Sequence, residues 1–214
     1  MCKLWVRIAI KLGVLTLFLT SGSAFAQVPP PCDFVTGGGF IITTGGNTHA
    51  PANANFGVGG GCKDGSPTFG HLEYIDHGNG LNVHWTSITA YLTLLPLLPD
   101  DTSTDVHGQP TGTRRVCGTA TTNLFGDVDF AVTVRDAGEP GINDQFDIRL
   151  RQPGGGLFVY DTGTECPGSG HFLGSPVPCA PGTNGGGNIQ LHKPNPSTRT
   201  GAFEGSCPAG AGGA

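Results

Sequence analysis

The chain has 214 residues, of which 37 are glycine and 17 proline, together about a quarter, while Asp, Glu, Lys and Arg make up only 13%. That composition excludes a coiled coil, a long solvated helix and a charged disordered tail, and it favours one all-β domain with many turns. The formal net charge is -5, and no basic face is visible, so nucleic-acid binding is excluded.

The chain opens with Lys3, Arg7 and Lys11, then a short apolar run from Leu12 to Leu19, then Ala24-Phe25-Ala26. This pattern predicts a signal peptide over 1–26, cut before Gln27. The run is shorter than the ~20 residues that span a bilayer. Gln27, where a lipid-anchored start would need Cys, predicts a free mature chain. The longest later apolar stretch, Tyr91 to Leu98, is broken by Pro96, so no membrane insertion is expected. Loss of the leader removes three of the 11 basic residues, leaving 8 against 16 acidic ones. The expected location is the periplasm or the exterior.

Beyond Cys2, six cysteines remain: Cys32, Cys62, Cys117, Cys166, Cys179 and Cys207. An even number in an exported chain predicts disulfides, and the absence of any C-x-x-C pair argues against zinc. Cys166 and Cys179 share one Gly/Pro-rich stretch and are expected to pair. The partners of the other four stay open, with Cys207 expected to pin the tail to Cys32, Cys62 or Cys117.

In chain order, Phe34 to Thr43 reads as two apolar pieces around three glycines, which points to a bulge or a close backbone approach. Asn55 to Gly59 is a weak strand, and Gly60 to Thr68 a turn region. His71 to Asp76, a turn at 77–80, and Leu81 to Leu95 form a hairpin, with Leu81, Val83, Trp85 and Ser87 on one face and Ile88 on the other. Thr113 to Thr122 is a strand. Val128, Phe130, Val132 and Val134 alternate cleanly, as do Phe146, Ile148 and Leu150. Between these two runs, Glu139-Pro140-Gly141 suggests a type II turn. Leu157 to Tyr160 and Asn188 to His192 are short strands, separated by a loop from Glu165 to Asn184. The result is about nine strands in a loop-rich, disulfide-braced β-sandwich or jelly-roll-like domain over 27–193, followed by a Gly/Pro/Ala-rich tail over 194–214.

Several motifs appear in a fixed order: CDFVTGGGF at Cys32, ANFGV at Ala54, GHLEYIDHG at Gly70, LNVHWTSIT at Leu81, VTVRDAGEPGINDQFDIRL at Val132 and GGGNIQLH at Gly185. In this order they resemble the exported bacterial β-rich modules called post-COAP-1 domains, over residues 32 to 193. The resemblance implies export and β-architecture. The role of that family is unassigned, so it implies no catalytic residue. The Cys166–Cys179 loop departs from the family pattern.

Two clusters could carry chemistry. Asp136, Glu139 and Asp144 crowd one turn and could give calcium its oxygen ligands; the alternative is a solvated acidic turn bonding nearby backbone N–H groups. No other cofactor is expected. His71, Glu73, His84 and His192 lie on or beside strands and form the candidate binding set, either a metal-like cluster or a polar ladder across strands. Glu73, Asp76, Glu139 and Glu204 are the carboxylates available for glycoside hydrolysis. No serine or cysteine stands in a nucleophile motif.

The expectation is an exported, non-catalytic structural or adhesive module whose partner is a surface polymer, a glycan or a protein. The alternative is a secreted hydrolase, with or without a metal. A binding module should present a sheet face or loop rim bearing aromatic rings, with Trp85 and Tyr91 as candidates. An enzyme should present a concave site with converging carboxylates or His.

Overall fold

The computed structural model describes residues 32–63, 66–94, 103–183, 185–195 and 204–207. The expected leader, its cleavage site and most of the tail lie outside them. Eleven strands are described: β1 (Phe34–Thr43), β2 (Ala52–Lys63), β3 (Ser66–Asp76), β4 (Leu81–Thr93), β5 (Gly112–Thr122), β6 (Gly126–Asp136), β7 (Gln145–Arg151), β8 (Phe158–Asp161), β9 (His171–Phe172), β10 (Gly187–His192) and β11 (Glu204–Gly205). The only helical piece among the described residues is a 3-10 turn at Thr162–Thr164.

All the strands belong to one antiparallel sheet in the order β10-β1-β2-β3-β4-β5-β6-β7-β8, with β9 beside β7 and β11 beside β4. The chain is a meander, and the sheet rolls so that its two ends face each other. Phe56 of β2 stacks on Phe146 of β7 with centroids 3.9 Å apart, and Tyr74 of β3 meets Tyr160 of β8 at 5.8 Å. The layers of this sandwich-like, all-β domain are therefore halves of a single sheet.

The alternating runs supply the core. Val128, Phe130, Val132 and Val134 of β6 face inward with Phe146, Ile148 and Leu150 of β7, all buried. At the edge of the core Arg114 is buried against Asp33, with Nη2 donating to Oδ2 at 2.6 Å, and Tyr91 donates its hydroxyl to Asp33 Oδ1 at 2.7 Å. The adjacent arginines thus part: Arg114 turns inward and Arg115 outward.

Several local expectations need correction. The Gly60 to Thr68 region is mostly strand, because β2 continues to Lys63 and β3 starts at Ser66. Its glycines keep pairing with β1 and β3, and Cys62 is bridged to Cys32. The glycines of β1 make no bulge: pairing with β2 runs without a shift from Phe34 to Thr43. They mark a close approach, since a Cβ on Gly39 would lie 2.2 Å from the carbonyl oxygen of Gly186.

Two bulges sit in β4, between Trp85 and Ser87 and between Ile88 and Ala90. They change the facing, so Ile88 packs on the core although strict alternation puts it outside. The β6–β7 connection spans the residues between Asp136 and Gln145, with a cis Glu139–Pro140 bond in place of a type II turn.

Three disulfides brace the sheet: Cys32–Cys62, Cys117–Cys207 and Cys166–Cys179. The tail is tied where β11 pairs with Tyr91 and Ala90 of β4. The inserted loop orders itself more than its composition suggests: β9 pairs with β7, and His171 and Leu173 within it are fully buried.

Candidate binding face

Alternation in β1 to β4 and β10 puts most of the apolar residues inside and leaves a distinct outer face. Running across it, His192 of β10 pairs with Phe34 of β1, Thr36 with Gly59 of β2, Gly59 with His71 of β3, and Glu73 with His84 of β4. All four candidate binding residues therefore lie on one face of the sheet. They do not form one cluster.

His192 stacks on Phe34 with centroids 4.6 Å apart and bonds the Thr36 hydroxyl through Nε2 at 2.8 Å. His84 Nδ1 bonds Glu73 in the open, both side chains being more than half exposed. His71 lies over bare backbone: a Cβ on Gly59 would come within 2.8 Å of its Cε1. Phe34, Thr36, Gly59, Phe69 and His71 line an open groove of about 540 Å³, with Asn195 at its rim.

The floor of this face is glycine. A Cβ on Gly57 would meet nothing within 4 Å, and one on Gly38 only the Phe56 carbonyl at 3.5 Å. Around the floor stand neutral amides: Asn53 and Asn55 of β2, Asn82 of β4, and Asn188 and Gln190 of β10. The aromatic expectation falls on the wrong rings. Trp85 is partly buried against the core and Tyr91 fully buried, while Phe69 is 39% exposed.

The acidic turn is organised differently. Asp136 and Asp144 are buried and clasp β10. Asp136 accepts from the N–H of Gly138 and Leu191, and Asp144 from that of Ala137 and Ile189. Burial, only partly offset by these donors, raises the Asp144 carboxyl to about 6 and also raises Asp136. Glu139 accepts from Asn188. Among the described residues no three His, Cys, Asp or Glu side chains stand close enough to share a metal ion.

Two of the carboxylates weighed for hydrolysis are kept apart. Glu73 and Asp76 sit on opposite faces of β3, and Asp76 is fully buried. No family model, no curated protein and no solved structure matches this chain.

Two histidine sites, one buried and one half-buried, escaped the sequence reading. His171 is fully enclosed, with Nδ1 at 2.7 Å from Asp147 and Nε2 at 3.3 Å from Glu165. Burial opposes its charge, but the two carboxylates outweigh that and raise it to about 9. Glu165 also accepts from Thr43, Thr44 and Gly46, so against its own burial these donors and His171 hold it at about 2.

Nearby, His49 bonds Asp76 at 2.7 Å, and Tyr160 donates to the same oxygen at 2.6 Å while touching the Tyr74 hydroxyl. The two sites clamp one end of the sandwich. Only the spacing of polar residues within inward-facing runs, Asp76 among Leu72 and Tyr74, could have signalled them.

Proposed function

We propose that the chain is an exported, non-catalytic binding module of the post-COAP-1 kind, released by cleavage after Ala26, that holds a neutral glycan on the outer face of β10-β1-β2-β3. The observation that carries this is the groove of Phe34, Phe69 and His71 over bare glycine backbone, with Asn195 among its lining residues. A sugar ring offers C–H faces that pack on aromatic rings and hydroxyls that pair with amides and imidazoles. Glycine lets such a ring approach the strands closely. The face is poor in charge: Glu73 is bonded to His84 and no lysine or arginine lies among the facing residues named above. Three disulfides in the domain suit an oxidising compartment. Among the described residues no helix is long and apolar enough to cross a membrane.

Affinity electrophoresis of the exported chain in gels containing neutral polysaccharides is the test. Retardation by at least one of them should survive raised salt, because no ion pair is involved. Phe69→Ala, at an exposed position, should abolish the retardation with the melting temperature unchanged. Equal retardation of wild type and variant, or none in any neutral polysaccharide, would remove this face from the account.

A further inference from the structure

Phe69 and His71 stand on a stretch of β3 that lies beyond its ladder with β4. Among the described residues that ladder runs from Asp76–Leu81 to Glu73–His84 and ends there, although β3 reaches back to Ser66 and β4 on to Thr93. Past the ladder, β2 pairs one edge of β3 through Gly59, Gly60 and Gly61. On the other side β4 carries its two bulges, and the two strands fork. Thr68 reaches across the fork, donating its hydroxyl to the Ile88 carbonyl at 3.1 Å.

The C-terminal strand β11 sits in this fork. At Ala90 and Tyr91 one edge of β4 is taken by Cys117 and Val116 of β5. β11 pairs with the same two residues through Gly205 and Glu204, so it takes the edge that faces β3. It also lies against β3 itself. The seat is shaped for it. Gly205 has a φ of 91°, and a Cβ there would come within 2.1 Å of the Thr89 carbonyl oxygen. Thr89 donates its hydroxyl to the Ser206 carbonyl at 3.2 Å. Ala90, Cys117 and Ala131 stand in line across β4, β5 and β6 and form a small apolar cluster apart from the main core, with Leu92 and Cys207 packed on it. There Cys207 closes its bridge to Cys117. Two strand pairs barely offset the backbone entropy lost in ordering the tail, so the bridge is what keeps β11 in place.

We propose that this tail is a strap that completes the binding groove and is seated by oxidation: the Phe69–His71 wall is held for ligand once Cys117 and Cys207 are joined. In that step the two thiols give two electrons and two protons to a disulfide-bearing oxidant, which leaves as a dithiol. A chain still in a reducing compartment carries an unfinished groove, and export into an oxidising one completes it. The inference rests on reading this groove as the binding site, so its test includes a measurement that needs no ligand.

The experiment is hydrogen exchange of the exported chain, read by mass spectrometry in peptides covering Phe69–Leu72 and, as a distant reference, Phe146–Leu150. Cys207→Ser should speed exchange at Phe69–Leu72 about tenfold and leave Phe146–Leu150 unchanged, because the fork opens as a local unit. Gly205→Val unseats β11 with every cysteine in place and should do the same, so the outcome does not hang on one variant folding. Replacing the other loop's pair together, Cys166→Ser with Cys179→Ser, should leave Phe69–Leu72 as in the wild type. In gels holding a neutral polysaccharide that retards the wild type, Cys207→Ser should lose most of the retardation. Wild-type exchange at Phe69–Leu72 in Cys207→Ser and Gly205→Val overturns the strap. Equal acceleration at Phe146–Leu150, which marks general destabilisation, or undiminished retardation of Cys207→Ser, also overturns it. If no polysaccharide retards the wild type, the glycan reading falls, while the exchange rates still decide whether the strap holds this wall.

Discussion

His171 has no exposed surface and faces a carboxylate on each side, so the fold stabilises its charged form. Its ordinary value is 6.5 and its folded value about 9. The stabilisation is complete below the unfolded value, declines between the two, and is gone above the folded one. The shift corresponds to about 3 kcal/mol at most. His49 is raised in the same direction by Asp76 and the Ala50 carbonyl, against its burial, and adds to the same alkaline decline. Asp144 acts oppositely and elsewhere: raised to about 6, it destabilises the fold when charged, and that penalty fades as pH falls below this value. The stability gap between wild type and His171→Gln, followed by urea unfolding, should therefore be widest just below the unfolded value of 6.5 and narrow steadily as pH rises past the folded value of about 9. A gap independent of pH over that range would show that His171 is neutral in the fold.

At the same scale, Asp33 is the acceptor that makes a buried Arg114 tolerable, and it also receives the Tyr91 hydroxyl. Asp33→Ala leaves a guanidinium buried without that carboxylate, a change that costs about 3–5 kcal/mol in comparable sites. Equilibrium unfolding should show a loss of that order. A loss below about 1 kcal/mol, the worth of an exposed pair, would mean the pair is solvated. No local pattern signals this pairing, because Arg114 and Asp33 are 81 residues apart and become neighbours only when the sheet rolls.

Among the elements, the strands with clean period-two alternation were legible: β6 and β7 lie where Val128 to Val134 and Phe146 to Leu150 placed them. Glycine-rich strands were not, because a glycine carries no facing signal. Two glycines show what decides its meaning. Gly118 on β5 sits against the β4 bulge, where a Cβ would lie 1.9 Å from the Ser87 carbonyl oxygen and 2.9 Å from the Phe130 ring. Gly57 on β2 opens to nothing. Gly118→Ala should destabilise by about 1–3 kcal/mol, as overpacking does. Gly57→Ala should be neutral or slightly stabilising, by under about 1 kcal/mol, through lost chain entropy. Thermal melts of both variants decide it, and equal melting temperatures would mean that the bulge in β4 yields at no cost.

For the whole molecule, the six cysteines were legible as a set, and the nearest pair by its spacing in a Gly/Pro-rich loop. The other two bridges depend on the register of β1 with β2 and on β11 reaching β4, which no spacing encodes. The three differ in access. Cys32 and Cys62 are both fully buried, Cys117 is buried with a half-buried partner, and Cys179 is exposed although Cys166 is not. Thiol–disulfide exchange needs a thiolate to reach a sulfur, so access orders the reduction when the fold is intact. Under native conditions with mild reductant, Cys166–Cys179 should open first and Cys117–Cys207 second. Cys32–Cys62 should open only with global unfolding. In the chain-entropy model Cys117–Cys207 stabilises by about 4.6 kcal/mol, Cys32–Cys62 by about 3.7 kcal/mol and the short loop by about 3 kcal/mol, so the first reduction should leave the β-sheet circular dichroism intact. Timed alkylation with peptide mapping reads the order directly. Early labelling of Cys32 or Cys62 would mean that β1 and β2 separate before the loop does, and that the glycine-floored face is the least stable part of the sheet.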